Sequence, residues 1–179
     1  SERGWGGPAE SLVSHGIDFI SRYGRTDRGG WVRTLKVDGS VADPTEDLYD
    51  HACVLLALAH AQRCGHRDAM RLAQETFRFI DTYLEDGSFI GFLETPDWDG
   101  ARRSNPHMHL LEAFLAWHAI TGDQVYLHRA VRIINLFRNH FFDCDPGVSA
   151  NILTPTGCPC RGKKGNGPNR VTISNGPRF

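Results

Sequence analysis

Two stretches of this chain repeat one another at the spacing of a helical hairpin. Leu58-Ala59, Gly65 and Ala73 are echoed by Leu115-Ala116, Gly122 and Ala130, an offset of one helix pair. Self-similarity at such a period is the mark of stacked helical hairpins, none of which can bury its apolar face alone. Hairpins stacked side by side bring their long loops to one mouth, and loops at a mouth are where binding residues belong. The expectation is therefore an all-α architecture with its functional residues at one end.

The apolar periodicity places five helices. Pro8 to Tyr23 is amphipathic, with Leu12, Ile17, Phe19 and Ile20 supplying the stripe, and Gly24 stops it. Thr45 to Cys64 is dense in Leu and Ala and closes at Gly65; the next helix starts at His66 or Asp68 and runs to about Leu84, with Leu72, Phe77, Phe79, Ile80 and Tyr83 inward. The fourth spans Asn105 to about Ile120, and Thr121-Gly122-Asp123 turns the chain into a fifth, Gln124 to about Phe141. Connections alternate long, short, long, short. In the first long one, Gly29 to Ser40 alternates apolar and polar around Asp38-Gly39, which predicts a short β-hairpin. The second, Glu85 to Ser104, carries Phe89, Phe92, Trp98 and an Asp97-x-Asp99-Gly100 turn.

The remaining composition mostly excludes. Apolar residues at 40% and charged residues at 23% fit an ordinary globular domain, and a net charge of −1 suggests neither a nucleic-acid nor a membrane partner. No run approaches the length of a spanning helix, and no signal peptide is visible. The chain opens on Ser1 without an initiator Met. Five cysteines without framework spacing favour a reducing cytoplasm. Cys158-Pro159-Cys160 is too tight and too isolated to propose a zinc site. Oligomeric state is left open.

The densest chemistry lies in Arg102 to Ala113. Asn105 is placed to cap the fourth helix, with Pro106 at its first position, where the missing N–H costs nothing. His109 and Glu112 stand three apart on one face, so the carboxylate can orient the imidazole, while His107 points elsewhere. Asn105 and His109 sit at the open end of the helix, where polar side chains can meet a ligand. The same residues also fit a well-capped surface helix with incidental histidines.

Asn105-Pro106-His107-Met108-His109-Leu110-Leu111-Glu112-Ala113 resembles the signature of the N-acylglucosamine 2-epimerase superfamily, in particular its mannose isomerase-like branch. Asp47-Leu48-Tyr49-Asp50-His51-Ala52 resembles a second motif upstream, and Arg138-Asn139-His140-Phe141-Phe142-Asp143 a third. The similarity covers roughly Gly4 to Asp143, with the motifs in the family's order. It implies a partial (α/α)6 barrel of helical hairpins over residues 1–143, with the β-hairpin in a long loop; five helices are fewer than the family's twelve.

The resemblance also implies a chemistry: a sugar isomerase of the aldose–ketose, mannose–fructose type, working by histidine-mediated proton transfer through an enediol, with no metal and no cofactor. A 2-epimerase of N-acylglucosamine or cellobiose is the runner-up, and a non-catalytic helical-repeat binding module is a rival of another class. Met108-His109 resembles the isomerase and cellobiose-epimerase branches more than the N-acyl-sugar epimerases. By the same resemblance Tyr49, Arg103, Asn105 and His109 would bind the sugar. His109 would be the catalytic member here, relaying protons to sugar oxygens rather than serving as main C2 base, and Glu112 would orient it. Each also fits a structural role: Tyr49 as a half-buried amphipathic residue, His109 as a satisfied interior histidine, Arg102 and Arg103 as solvated charges. His51, His60, His66, His118, His128 and His140 read as helix-surface or corner residues without a role. Ser104 departs from the family's usual Gln, and an N-terminal part bearing a ligand-binding arginine is not found here.

After Asp143 the character changes. Cys144 to Phe179 holds six glycines and five prolines, with five basic residues against one acid, and reads as an irregular basic tail. As a nucleic-acid arm it lacks aromatics for stacking. Read one frame over, however, permitted codons for Ser149 to Gly157 spell R-E-Y-F-D-A-D-W, and those for Arg170 to Pro177 spell G-H-H-F-E-W-A. Both strings resemble the family's continuation. They predict a frame break near Pro146 to Ser149, which would remove the His-x-x-Glu site and leave the chain without the family's main catalytic histidines.

Overall fold

In the computed structural model, residues 7–85, 87, 91–98 and 100–141 are described, together with the backbone of 152–153. Five α-helices come in sequence: α1 (Ala9–Tyr23), α2 (Leu48–Arg63), α3 (Ala69–Phe79), α4 (Ser104–Thr121) and α5 (Gln124–Leu136). α3 and α5 each run on into a π-helical turn, Ile80–Leu84 and Phe137–Phe141. The sequence repeat thus extends into the backbone.

The expected β-hairpin forms, displaced toward its second strand. β1 (Thr34–Leu35) pairs antiparallel with β2 (Val41–Asp43), with an irregularity in register after Thr34. Its turn is the Asp38-Gly39 pair: Gly39 takes φ +84°, and the Asp38 carboxylate accepts from the Ser40 backbone and hydroxyl. β3 (Arg102–Arg103) pairs antiparallel with β4 (Ile152–Leu153). The other residues of the expected tail, including Cys158-Pro159-Cys160, lie outside the described residues, as does Phe89.

α2 and α4 form the inner layer. α2 buries Leu48, His51, Ala52, Leu55, Leu58, Ala59 and Ala61, and α4 buries Pro106, His107, Leu110, Ala113, Phe114 and Trp117. They pack chiefly on each other, with α3 covering α2 and α5 covering α4. Trp117 crosses the seam and donates its indole N–H to the Leu55 carbonyl at 3.0 Å. Burying large apolar side chains such as Leu55 and Phe114 contributes about 2 kcal/mol apiece. α1 is held to α2 by one side only. Ile17 is buried, Val13 and Ile20 pack against the core, and Leu12, expected in the stripe, is exposed.

The short connections carry their expected signals. Gly122 ends α4 in the left-handed region at φ +70°, and Asp123 caps α5 by accepting from Val125 N–H. Gly65 likewise takes φ +80° after α2. The two long connections lead into the N-termini of α2 and α4 and meet there. Glu94 shows this: its backbone carbonyl accepts from Leu48 N–H at 2.9 Å, while its carboxylate binds Arg103. No helix among the described residues is long and apolar enough to cross a membrane.

The start of α4 differs from expectation. Arg103, not Asn105, is the capping residue; Ser104 begins the helix, and Pro106 is its third residue. The cause lies in the preceding strand. Arg103 is held in an extended conformation by β3 pairing and by its N–H donating to Glu94, so the chain turns helical two residues early. Pro106 remains within the first turn, where no intrahelical N–H bond is lost.

Candidate functional site

The mouth is built from the first turns of α2 and α4 and the two loops that enter them. Tyr49 lies in the first turn of α2, where Asp47 caps the helix by accepting from Asp50 N–H at 2.8 Å. His109 lies in the second turn of α4. Their rings meet edge to face with centroids 5.1 Å apart. Glu112 completes the group: its Oε2 lies 2.9 Å from His109 Nδ1, the i,i+3 geometry expected from the sequence. Three of the expected site residues are thus contiguous across the α2–α4 seam. With Nδ1 facing the carboxylate, Nε2 is the nitrogen available for exchange with a ligand.

Arg103 and Asn105 stand differently. Arg103 is engaged by the buried Glu94, with Nε to Oε2 at 2.6 Å, NH2 to Oε2 at 2.5 Å, and its own backbone N–H to Oε1 at 2.7 Å. It reaches solvent but is anchored to a carboxylate. Asn105 is exposed within the first turn of α4, four residues before His109, so the two share one face.

On the hairpin side of the mouth, three carboxylates surround one guanidinium. Arg33 reaches Asp47 at 2.7 Å, Asp43 at 3.1 Å and Asp50 at 3.8 Å. Burial, the charge of Asp47 and a hydrogen bond between the two acids push Asp50 up to about 6, while Arg33 acts in the opposite direction. The neighbouring Cys53 thiol, followed by burial and the charges of Asp50 and Asp47, raises the Tyr49 phenol above its ordinary value. Tyr49 therefore remains a neutral hydroxyl able to donate to a ligand oxygen.

Beneath this surface lie two residues that sequence reasoning missed. His51, expected on a helix surface, is fully buried, as is His107. His51 Nε2 accepts the Trp31 backbone N–H at 3.1 Å, and Nδ1 lies 2.6 Å from the Asp47 carbonyl. His107 Nε2 accepts the Phe92 backbone N–H at 2.8 Å, and Nδ1 lies 2.7 Å from the Arg103 carbonyl. A carbonyl only accepts, so the proton sits on Nδ1 in both rings. Burial pushes both imidazoles down to about 4, which keeps them neutral. The available signal was their spacing: each lies four residues after the capping residue of an inner helix, and each is preceded in the entering loop by a Gly–aromatic pair, Gly30-Trp31 or Gly91-Phe92.

A shallow groove of about 310 Å3 between α3 and α5 is lined by Gln74, Phe77, Arg78, Val125, Tyr126 and Arg129. It contains none of the mouth residues. Among the described residues, no group of three His, Cys, Asp or Glu side chains is arranged to hold a metal.

The profile of the N-acylglucosamine 2-epimerase (GlcNAc 2-epimerase) family matches residues 1–151. The D-mannose isomerase of Thermobifida fusca is 35% identical over 137 residues, covering 72% of this chain and 33% of that protein. A mannose-6-phosphate isomerase of Rhizobium meliloti (strain 1021) is 31% identical over 176 residues, covering 91% of this chain and 43% of its own length. This chain therefore spans less than half of the curated relatives it matches. Among solved structures, a D-mannose isomerase superposes with a TM-score of 0.74 at 22% identity, over 83% of this chain and 39% of that one. The cellobiose 2-epimerase of Bacillus thermoamylovorans B4167 gives 0.76 at 18% identity, over 83% and 43%. At these identities the likeness concerns the fold, which is that of part of an (α/α)6 barrel.

Proposed function

Because the chain belongs to the N-acylglucosamine 2-epimerase family, we propose that its mouth binds an open-chain aldose and serves an aldose–ketose isomerisation of the mannose–fructose type. The observation that carries this reading is the Tyr49–His109–Glu112 group, closed across α2 and α4 at the end where both long loops meet. In such a reaction a base takes the proton from C2 while an acid gives one to the C1 carbonyl oxygen, which becomes an enediol hydroxyl. A proton then returns to C1 as the C2 hydroxyl gives up its own, leaving a ketone. Each proton transfer by a positioned group is worth roughly 10²- to 10⁴-fold.

In this scheme Tyr49 donates to a sugar hydroxyl and Asn105 binds another. His109, oriented by Glu112, shuttles protons at the sugar oxygens. By resemblance, the His-x-x-Glu segment that the shifted reading of the tail spells carries one of the family's two acid/base histidines, and without it the mouth would bind sugar without turning it over. Arg103 would contact the sugar only by sharing Glu94. The relatives named as D-mannose isomerases favour isomerisation over 2-epimerisation, in which the proton would return to C2 from the opposite face.

The test is 1H NMR of D-mannose in D2O with two proteins: this chain, and a longer chain carrying the shifted frame and its continuation. Loss of the C2 proton signal with fructose appearing in the longer chain supports the proposal. Exchange with glucose as product moves the assignment to the epimerase. No exchange with any aldose, in a longer chain that is folded, leaves a helical-repeat binding module as the better reading.

A further inference from the structure

The two buried histidines occupy the same place in successive repeats. Each sits four residues after the residue that caps an inner helix, Asp47 for His51 and Arg103 for His107. Each uses Nδ1–H to grip that residue's carbonyl, and each offers Nε2 to the backbone N–H of a loop aromatic. Each is flanked by aromatic rings: Phe79 stacks on His51 at 4.5 Å, and Phe92 and Phe141 lie 6.0 and 5.9 Å from His107.

A glycine precedes the loop aromatic in both cases. A Cβ on Gly91, which takes φ +98°, would stand 2.6 Å from His107 Nε2. A Cβ on Gly30 would meet Glu46 at 2.5 Å and the Phe79 ring at 2.6 Å. Glycine at 91 lets the loop backbone come down onto the His107 imidazole, and glycine at 30 lets it pass the Phe79 ring that stacks on His51. Two independent copies of one four-part arrangement, each with its own glycine, are more than incidental core packing.

Helix geometry connects the buried pair to the mouth. Residues two apart point to nearly opposite sides of a helix. His51 is flanked by Tyr49 and Cys53, and His107 by Asn105 and His109. An imidazole fixed on the core side therefore fixes the rotation of the turn that aims those side chains into the mouth. The loop held by His107 also carries Glu94, which caps Leu48 and anchors Arg103.

We propose that His51 and His107 are matched positioning residues, each clamping one mouth loop to the first turn of an inner helix and thereby setting the aim of Tyr49, Asn105 and His109. The clamp stands on the contacts alone, and its service to a sugar rests on the function proposed above.

The experiment is amide exchange and ring-contact NMR on the full 179-residue chain. In H107A the Phe92 amide should exchange about 10- to 100-fold faster, amides of α3 should change by less than about threefold, and the Tyr49–His109 ring contact should weaken. H107Q, whose amide oxygen can accept from Phe92, should restore most of both. H51A and H51Q should act in the same way on Trp31. Gly91→Ala leaves the imidazole in place but pushes the loop off it; it should speed Phe92 exchange and weaken the Tyr49–His109 contact while α3 holds, and it serves if H107A does not fold. An unchanged Phe92, uniform acceleration across α2, α3 and α4, or no restoration by H107Q overturns the proposal. D-mannose added to the wild-type chain should shift Tyr49 and His109 signals, H107A should lose that response and H107Q should regain it. A wild-type chain indifferent to mannose refutes the sugar reading, and the exchange and ring-contact results then decide the clamp by themselves.

Discussion

Glu94 and Arg103 are joined twice, through the arginine's side chain and through its backbone N–H, and the same glutamate caps α2 through Leu48. The carboxylate is only 4% exposed. Removing it strips the Arg103 N–H of its acceptor and leaves the guanidinium without a partner at the mouth. Glu94→Ala should lower unfolding stability by about 2 kcal/mol, discounted for the exposed arginine. Urea denaturation measures this, and a change under about 0.5 kcal/mol would show that Glu94 does not hold the two entering loops together.

Acid should weaken the fold through the buried histidines. His51 faces Glu46, Asp47 and Arg25, and His107 faces Arg102, but burial is the largest influence on both and lowers both to about 4. The folded pKa lies below the unfolded value near 6.5, so the unfolded chain takes up protons first as pH falls. The stability they contribute is present above about pH 6.5 and is lost on descending to about 4, on the order of 3 kcal/mol per histidine. Thermal melts between pH 7.5 and 4.5 test this, and replacing both histidines by glutamine should flatten the slope.

Asp50 should act in the opposite sense. Its carboxyl is raised to about 6 by burial and by Asp47, above its unfolded value, so the folded state holds the proton more tightly. Falling pH through 6 thus favours folding at this one position. Asp50→Asn should stabilise the protein at pH 7.5 by about 1 kcal/mol after allowance for its partial exposure, and by little at pH 4.5. A destabilised D50N at pH 7.5 would mean that Arg33, 3.8 Å away, outweighs the repulsion.

Local chemistry made much of this architecture legible in the sequence. Helices, short corners and the Asp38-Gly39 turn each rest on apolar period, capping or glycine at positive φ. The His109–Glu112 pair was legible for the same reason, being three residues apart on one helix. The start of α4 departs from its sequence signal because a strand pairing fixes Arg103 in extended form before Asn105 can cap. His51 and His107 were missed because their partners, Trp31 and Phe92, come from loops fifteen or more residues away. Only tertiary packing distinguishes a histidine that grips such a loop from one on a solvated face.

The seam between α2 and α4 depends on Trp117. Its indole N–H donates to the Leu55 carbonyl inside the buried core, with Phe77 and Tyr126 against its ring. Trp117→Phe removes the donor and part of the volume, at a cost of about 2–3 kcal/mol. The Tyr49–His109 contact spans the same seam nearer the mouth, so it should loosen in parallel, read by the chemical shifts of both rings. Loss of stability with the ring contact intact would show that the mouth is set locally, by the loops, rather than by the depth of the seam.

The coding DNA across Phe142 to Phe179 decides the nature of the segment beyond the fifth helix. In the shifted frame each codon takes its last two bases from the start of the next codon shown, so those two are almost fixed by the residues themselves. That such constrained reading permits R-E-Y-F-D-A-D-W and then G-H-H-F-E-W-A, in order and in one frame, is the argument for a break near Pro146 to Ser149. The expected result is that the actual codons spell both strings. A longer chain made in that frame should then carry the His-x-x-Glu histidine and show the C2-proton exchange proposed above. Codons that forbid either string would make the tail a genuine product of its frame and remove the argument for a break.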